Sequence, residues 1–194
     1  MYNAYIIVNP VIGFFMHCTY NYLMDRTTNL LGALSLALSD RIKSGMKEVL
    51  DRSGESAAAL MVVGYAPGLS VESLRQVLEL SHPGTVRLID RLVEDGLVER
   101  RKAEDGRAVA LHVTRKGGRL RSKLIGKRLD TLEQALEGLT ERERSQLGNL
   151  LSKVLTNLPE SEMAKHRICR LCSVRVCTEC PIPGNSPEFV RPAV

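Results

Sequence analysis

The stretch that most constrains this chain runs from Ser70 to Thr114, SVESLRQVLELSHPGTVRLIDRLVEDGLVERRKAEDGRAVALHVT. Val71 to Leu80 carries Leu74, Val77 and Leu78 at helical spacing, with Ser70 placed as N-cap. Ser81 and Pro83 interrupt that pattern and open a second helix, because Ser caps well and Pro suits a first turn. This helix is expected to turn Val86, Ile89, Leu92 and Val93 inward and to show Gly84, Thr85, Arg87 and Arg91 on its other side. Asp95-Gly96 ends it. Leu97 to Lys102 and Ala108 to Thr114 then read as strands with apolar residues in alternation. Ala103 to Arg107 joins them, and Asp105-Gly106 is a tight-hairpin signal. Two helices followed by a charged hairpin form a winged helix-turn-helix.

That arrangement suits double-stranded DNA, with the second helix in the major groove and the hairpin tip reaching the neighbouring minor groove. Ser81 and His82 stand where that helix begins, and His82 is placed to contact backbone phosphate. Thr85 is expected to bond a base edge or a phosphate. Arg87 and Arg91 lie one turn apart, and an Arg can bond a guanine edge at two points. Arg107 sits at the wing tip, where an Arg enters a narrow minor groove. Arg100, Arg101 and Lys102 suit phosphates, which fix position without reading sequence.

The segment ELSHPGTVRLIDRLVEDGLVERRKAEDGRAVALHVTRKGG resembles the MarR (multiple antibiotic resistance regulator) family. The matching features are the Ser-x-x-x-Thr-Val helix start, Asp90-Arg91-Leu92, Gly96-Leu97-Val98-Glu99-Arg100, Asp105-Gly106-Arg107 in the wing, and Val113-Thr114 followed by Gly117. The resemblance covers roughly Asn29 to Leu158. It implies a dimeric repressor or activator with a helical dimerisation domain.

Charge is distributed to match. The chain of 194 residues has a net charge of +5, but Ser81 to Arg128 alone carries +7. The remainder is therefore slightly acidic, and a local basic patch is the footprint of a polyanionic partner. A hydrophobic fraction of 44% and this length suit one or two small domains with a true core.

The fold class expected is mainly α with a small β-hairpin wing, a winged helix-turn-helix plus a helical dimerisation domain. Residues 1–26 read as an N-terminal arm or leader, without a basic n-region or cleavage site, and with Asn9-Pro10 and Gly13 interrupting an apolar run too short for a bilayer. Translation starting at Met16 or Met24 is one account of this leader. Residues 27–54 form a dimerisation helix, with Leu30, Leu31, Leu34, Leu38, Ile42, Met46 and Val49 on one face. Residues 55–115 form the winged helix, in which Glu55 to Val63 is a short supporting helix and Tyr65 to Leu69 a loop. Residues 116–160 supply two more dimerisation helices. The first carries a heptad-like seam of Ile125, Leu129, Leu132, Leu136 and Leu139. The second opens on a capping box, Thr140 with Glu143, and bears Leu147, Leu150, Leu151, Val154, Leu155 and Leu158.

Residues 161–194 form a cysteine-rich tail expected to bind metal. Cys169, Cys172, Cys177 and Cys180 have the spacing C-x2-C-x4-C-x2-C and hold four of the five cysteines. In a reducing cytoplasm, structural disulfides are disfavoured. A mononuclear zinc site uses paired C-x2-C hooks, but usually separates them by about 12 to 20 residues. The spacing of Cys172, Cys177 and Cys180 reproduces the C-x4-C-x2-C run of plant-type ferredoxins, with Cys169 as the fourth thiolate. An iron–sulfur cluster, 2Fe-2S, is therefore the expected cofactor, with zinc as the alternative. Lys165, His166, Arg167, Arg170 and Arg175 would offset its negative charge.

No nucleophile–base constellation or Gly-rich phosphate loop is present, and His17, His82, His112 and His166 are scattered, so catalysis is not expected. The reading is a cytoplasmic, homodimeric, sequence-specific DNA-binding transcriptional regulator modulated by an iron–sulfur cluster, through redox or iron sensing. The alternative is a MarR-type repressor answering a small-molecule effector, with a structural four-cysteine zinc. No membrane partner is expected.

Overall fold

The computed structural model describes residues 25–51, 54–102, 109–173 and 180–182. Its elements are α1 (Arg26–Val49), α2 (Gly54–Tyr65), β1 (Leu69–Ser70), α3 (Val71–Leu78), α4 (His82–Glu94), β2 (Val98–Lys102), β3 (Val109–Val113), α5 (Arg115–Leu136), α6 (Glu141–Thr156) and α7 (Glu162–Cys169). The chain is thus mainly helical around one small antiparallel sheet of order β1-β3-β2.

The sheet has a third strand that a hairpin reading of the sequence leaves as loop. Gly68, at φ 92, turns the chain so that its N–H donates to the Leu111 carbonyl at 2.9 Å. Leu69 and Ser70 then pair with Leu111 and Ala110. Short β1 thereby covers the free edge of β3, whose other edge pairs with β2 from Val98↔Val113 to Lys102↔Val109.

The core lies between the helix-turn-helix and the sheet. Eight consecutive residues of α2, Ser56 to Val63, are buried, and a helix apolar all round belongs inside. Leu60, Met61, Leu74, Leu88, Ile89, Leu92, Leu111 and Leu124 are the largest of the fully buried side chains. α5 starts on Thr114, whose hydroxyl accepts from Gly117 N–H at 3.0 Å and donates to the Gly96 carbonyl at 2.7 Å. Gly117 is required at this junction: a Cβ there would lie 2.0 Å from the Leu97 carbonyl oxygen.

α5 returns along α1, and Lys127 pairs with Glu48 at 2.6 Å. Only Gly117, Leu124 and Thr131 of α5 are buried, so the heptad-like positions Ile125, Leu129, Leu132 and Leu136 face the core only partly. α6 begins on the capping box formed by Thr140 and Glu143, with Thr140 N–H donating to Glu143 Oε2 at 2.8 Å. It buries no residue against its own chain. α1 is similar over its first half: Leu30, Leu31 and Leu34 remain about half exposed. Among the described residues, no helix is long and apolar enough to cross a membrane.

α7 is an element that the sequence reading did not contain. Ser161 caps it, accepting from Ala164 N–H at 3.2 Å. Met163 and Leu171 then pack against the common core. The first cysteine of the cluster therefore sits in a helical turn rather than in a loop.

Candidate nucleic-acid interface and cysteine site

α4 is positioned by local chemistry first. Ser81 Oγ accepts from Gly84 N–H at 3.2 Å, and Pro83 occupies the first turn, where its missing donor costs nothing. Thr85, Leu88, Ile89 and Leu92 form the buried face. This corrects the sequence reading in two ways. Leu88 belongs to the core, and Val86 and Val93 are only partly buried. Thr85 is 0% exposed, and its hydroxyl donates to the Ser81 carbonyl at 3.1 Å, so in this structure it cannot reach a base or a phosphate. A threonine is easily accommodated there, because its methyl packs while its hydroxyl bonds back one turn.

The outer side of α4 is polar and open. Ser81, His82, Arg87 and Arg91 are exposed, and Arg91 Nε donates to the Arg87 carbonyl at 3.3 Å. Both arginines thus share one solvent-facing ridge. Beside it runs β2. Arg100 reaches back to Asp90 on α4 at 2.7 Å, which ties strand to helix. Arg101 pairs with Glu99, and both Arg101 and Lys102 are exposed. The wing tip with Arg107 lies outside the described residues.

The second site involves the tail. Cys169, Cys172 and Cys180 are each part-buried, and among the described residues none is disulfide-bonded. The Cys169 thiol hydrogen-bonds with those of Cys172 and Cys180. Cys172 N–H also donates to the Cys169 carbonyl at 2.9 Å. The thiol bond to Cys169 favours the thiolate of Cys172, helped by Arg128 and opposed by burial, and pulls Cys172 down to about 6. The same shared bond, with burial, pushes Cys169 up. Among the described residues, no group of three or more His, Cys, Asp or Glu side chains is arranged to hold a metal ion. Cys177, the fourth cysteine of the motif, lies outside the described residues.

Around these thiols the structure adds residues that the motif did not point to. Arg121 lies over the Tyr65 ring, 4.2 Å from its centroid. Gly64 makes room for it, since a Cβ there would lie 2.4 Å from Arg121 Cδ. Burial raises the Tyr65 hydroxyl pKa, a rise that Arg121 opposes and Cys172 reinforces. Among the described residues, neither Tyr65 Oη nor Arg121 Nε, both buried, has a partner at hydrogen-bonding distance and angle. Arg167, on α7, pairs with Glu79 at the end of α3. Spacing alone could have suggested α7, through Ser161 as a cap, but nothing local pairs Arg167 with Glu79.

An exposed arginine ridge on a capped second helix, beside a basic strand of a three-stranded wing, defines a winged-helix protein. Comparison with known proteins narrows this. A model of the MarR family matches residues 50–108. The chain is 30% identical over 112 residues to HTH-type transcriptional regulator BilQ of Clostridium symbiosum (strain WAL-14163), covering 56% of this chain and 78% of that one. A MarR family protein from Bacillus stearothermophilus is 26% identical, with TM-score 0.58 over 66% of this chain and 93% of the other. YusO from Bacillus subtilis, 19% identical, shares the fold with TM-score 0.61 over 72% of this chain and 99% of its own. The chain belongs to the MarR family of winged-helix transcriptional regulators.

Proposed function

We propose that this chain is a cytoplasmic homodimer that binds double-stranded DNA sequence-specifically, with α4 in the major groove and the wing beside it. The observation that carries this reading is the exposed ridge of Arg87 and Arg91 flanked by Arg101 and Lys102. Arg87 and Arg91 read base edges, while Arg101, Lys102, Ser81 and His82 hold phosphates, and Arg107 serves the minor groove. Dimerisation is supported by the leucines that α1 and α6 leave half exposed, because two half-sites supply the contacts that one winged helix lacks. A DNA site selected from a random pool tests this. The wild type should protect two half-sites related by a two-fold axis. Binding to a single half-site by a monomer would end the dimeric reading.

The finer part of the proposal is that Cys169, Cys172, Cys177 and Cys180 hold an iron–sulfur cluster of the 2Fe-2S type and that its presence modulates DNA binding. Its support is the motif spacing and the contact of Cys169 with two other thiols. The three described thiols do not make a metal site by themselves, so the proposal requires Cys177 as the remaining donor. Anaerobic purification followed by iron, sulfide and zinc analysis tests it. Two iron and two sulfide per chain, as a 2Fe-2S cluster requires, would support it. One zinc per chain would turn the segment into a structural staple.

A second reading, a small-molecule-responsive repressor, is favoured by a cleft of about 470 Å³ between α1 and α2, lined by Lys43, Met46, Lys47, Leu50 and Ala57 among others. That volume suits a small organic ligand. A shift in DNA affinity caused by an aromatic carboxylate, in protein lacking the cysteine site, would favour this reading.

A further inference from the structure

The turn between α3 and α4 is the joint that aims the exposed ridge of Arg87 and Arg91. Glu79, the C-cap of α3, has φ 53, and among the described residues it is the one non-glycine residue with positive φ. Two residues later, Ser81 caps α4. A left-handed residue with a Cβ is disfavoured by about five- to thirtyfold, so it persists only where its surroundings hold it.

Two kinds of contact hold Glu79. Within the turn, its N–H donates to the Gln76 carbonyl at 3.4 Å, and Leu80 N–H donates to the Arg75 carbonyl at 3.2 Å. Both bonds are long. Arg75, one turn before Glu79, is engaged by Glu72, to which it donates from Nε at 2.9 Å and from Nη2 at 2.6 Å. The cation that meets the Glu79 carboxylate comes instead from α7: it is Arg167. α7 packs on α3, and Met163 in its first turn and Leu171 just past its end rest against the core. Arg170 Nη1 donates to the Arg167 carbonyl at 2.5 Å, which steadies the turn that presents Arg167.

We propose that Arg167 is a positioning residue for DNA recognition: carried by α7, it holds Glu79 left-handed and so fixes the angle at which α4 leaves α3. This rests on the reading that α4 enters the major groove. Arg167 touches no DNA in this role. It sets the fraction of molecules whose α4 is correctly aimed, and apparent affinity follows that fraction. Base contacts need the alignment, whereas attraction to phosphates survives its loss.

The test uses the full chain and compares Arg167→Ala, Glu79→Ala, Glu79→Gly, and Arg167→Ala added to Glu79→Gly. Affinity for the DNA site selected from a random pool, affinity for unrelated DNA, and amide hydrogen exchange at residues 79 and 80 are measured. Arg167→Ala and Glu79→Ala should each weaken specific binding about three- to fivefold, the upper end for a half-exposed ion pair. Nonspecific binding should stay within about twofold of wild type, because it depends on phosphate contacts alone. Exchange at residues 79 and 80 should quicken about threefold or more as the turn opens. Glu79→Gly removes the same carboxylate but accepts φ 53 without strain, so its specific affinity should stay within about twofold of wild type. Arg167→Ala should then add nothing to it. Equal losses in Glu79→Ala and Glu79→Gly overturn the proposal, and so does wild-type specific affinity in Arg167→Ala. A wild type that selects no DNA site sinks the groove reading instead. The clamp is then judged on exchange: quickening in Arg167→Ala that is absent when Glu79→Gly is already present upholds it, and unchanged exchange in Arg167→Ala overturns it.

Discussion

The winged helix and the helices α1 and α6 use the same side chain, leucine, in opposite ways. Leu74, Leu88, Leu92 and Leu111 of the winged helix are 2% exposed or less. Leu30 and Leu34 on α1, Leu150 on α6 and Leu158 just beyond it stay between 48% and 59% exposed. The first region completes its core within one chain. The second displays an apolar surface that the described residues leave uncovered. Their sequence patterns look alike, because amphipathic periodicity records that a face will be buried and not which chain will bury it.

The largest effect that would sharpen this contrast comes from the closed region. Leu88→Ala should cost about 2–5 kcal/mol in urea unfolding, through lost contacts and a residual cavity. A cost below about 1 kcal/mol would mean that α4 is packed less tightly than its burial states. In the open region, Leu34→Glu combined with Leu151→Glu should weaken the dimer at least about a hundredfold, or roughly 2.7 kcal/mol. Sedimentation would show it. A dimer of undiminished affinity would break the comparison, because those leucines would then have no partner to lose.

A smaller effect separates reading from packing within α4. Arg87→Ala should cost about 1–3 kcal/mol of specific DNA binding and relax preference at one base pair, while leaving urea unfolding within about 0.5 kcal/mol. Lys102→Ala should weaken specific and nonspecific DNA about equally and lower the salt slope by about one. Thr140→Ala gives the smallest change, about 1 kcal/mol of helix stability from the lost cap of α6, read by thermal unfolding. A larger loss would show that α6 depends on its own chain more than its exposure implies.

Much of the winged helix was legible because its signals are local. Ser70, Ser81 and Thr140 cap the helices that they were expected to open, and Thr114, read as the end of a strand, caps α5 as well. Thr85 departs from the expectation because its position on α4 outweighs its polarity. Thr85, Leu88, Ile89 and Leu92 lie at steps of three, one and three residues, which is one face of a helix. The hydroxyl found an acceptor inside its own turn, so burial carried no penalty. β1 was missed because two residues hold no periodicity, and its partner, Leu111, is distant in sequence. α7 is not legible in the sequence because its eight residues are too few to show a clear apolar period, leaving Ser161 as the local signal. Among the described residues, Cys169, Cys172 and Cys180 do not form a group arranged to hold a metal ion, while Cys177 and Arg107 lie outside the described residues.

The sequence by itself determined the family, the order of helices α1 to α6 and the basic side of α4, since spacing, caps and turn residues act within a few residues of one another. Only the tertiary structure decided that Thr85 points inward, that α7 docks on α3, and that Arg167 meets Glu79. Those outcomes depend on side chains from distant parts of the chain competing for one surface. No local pattern records which of them arrives there.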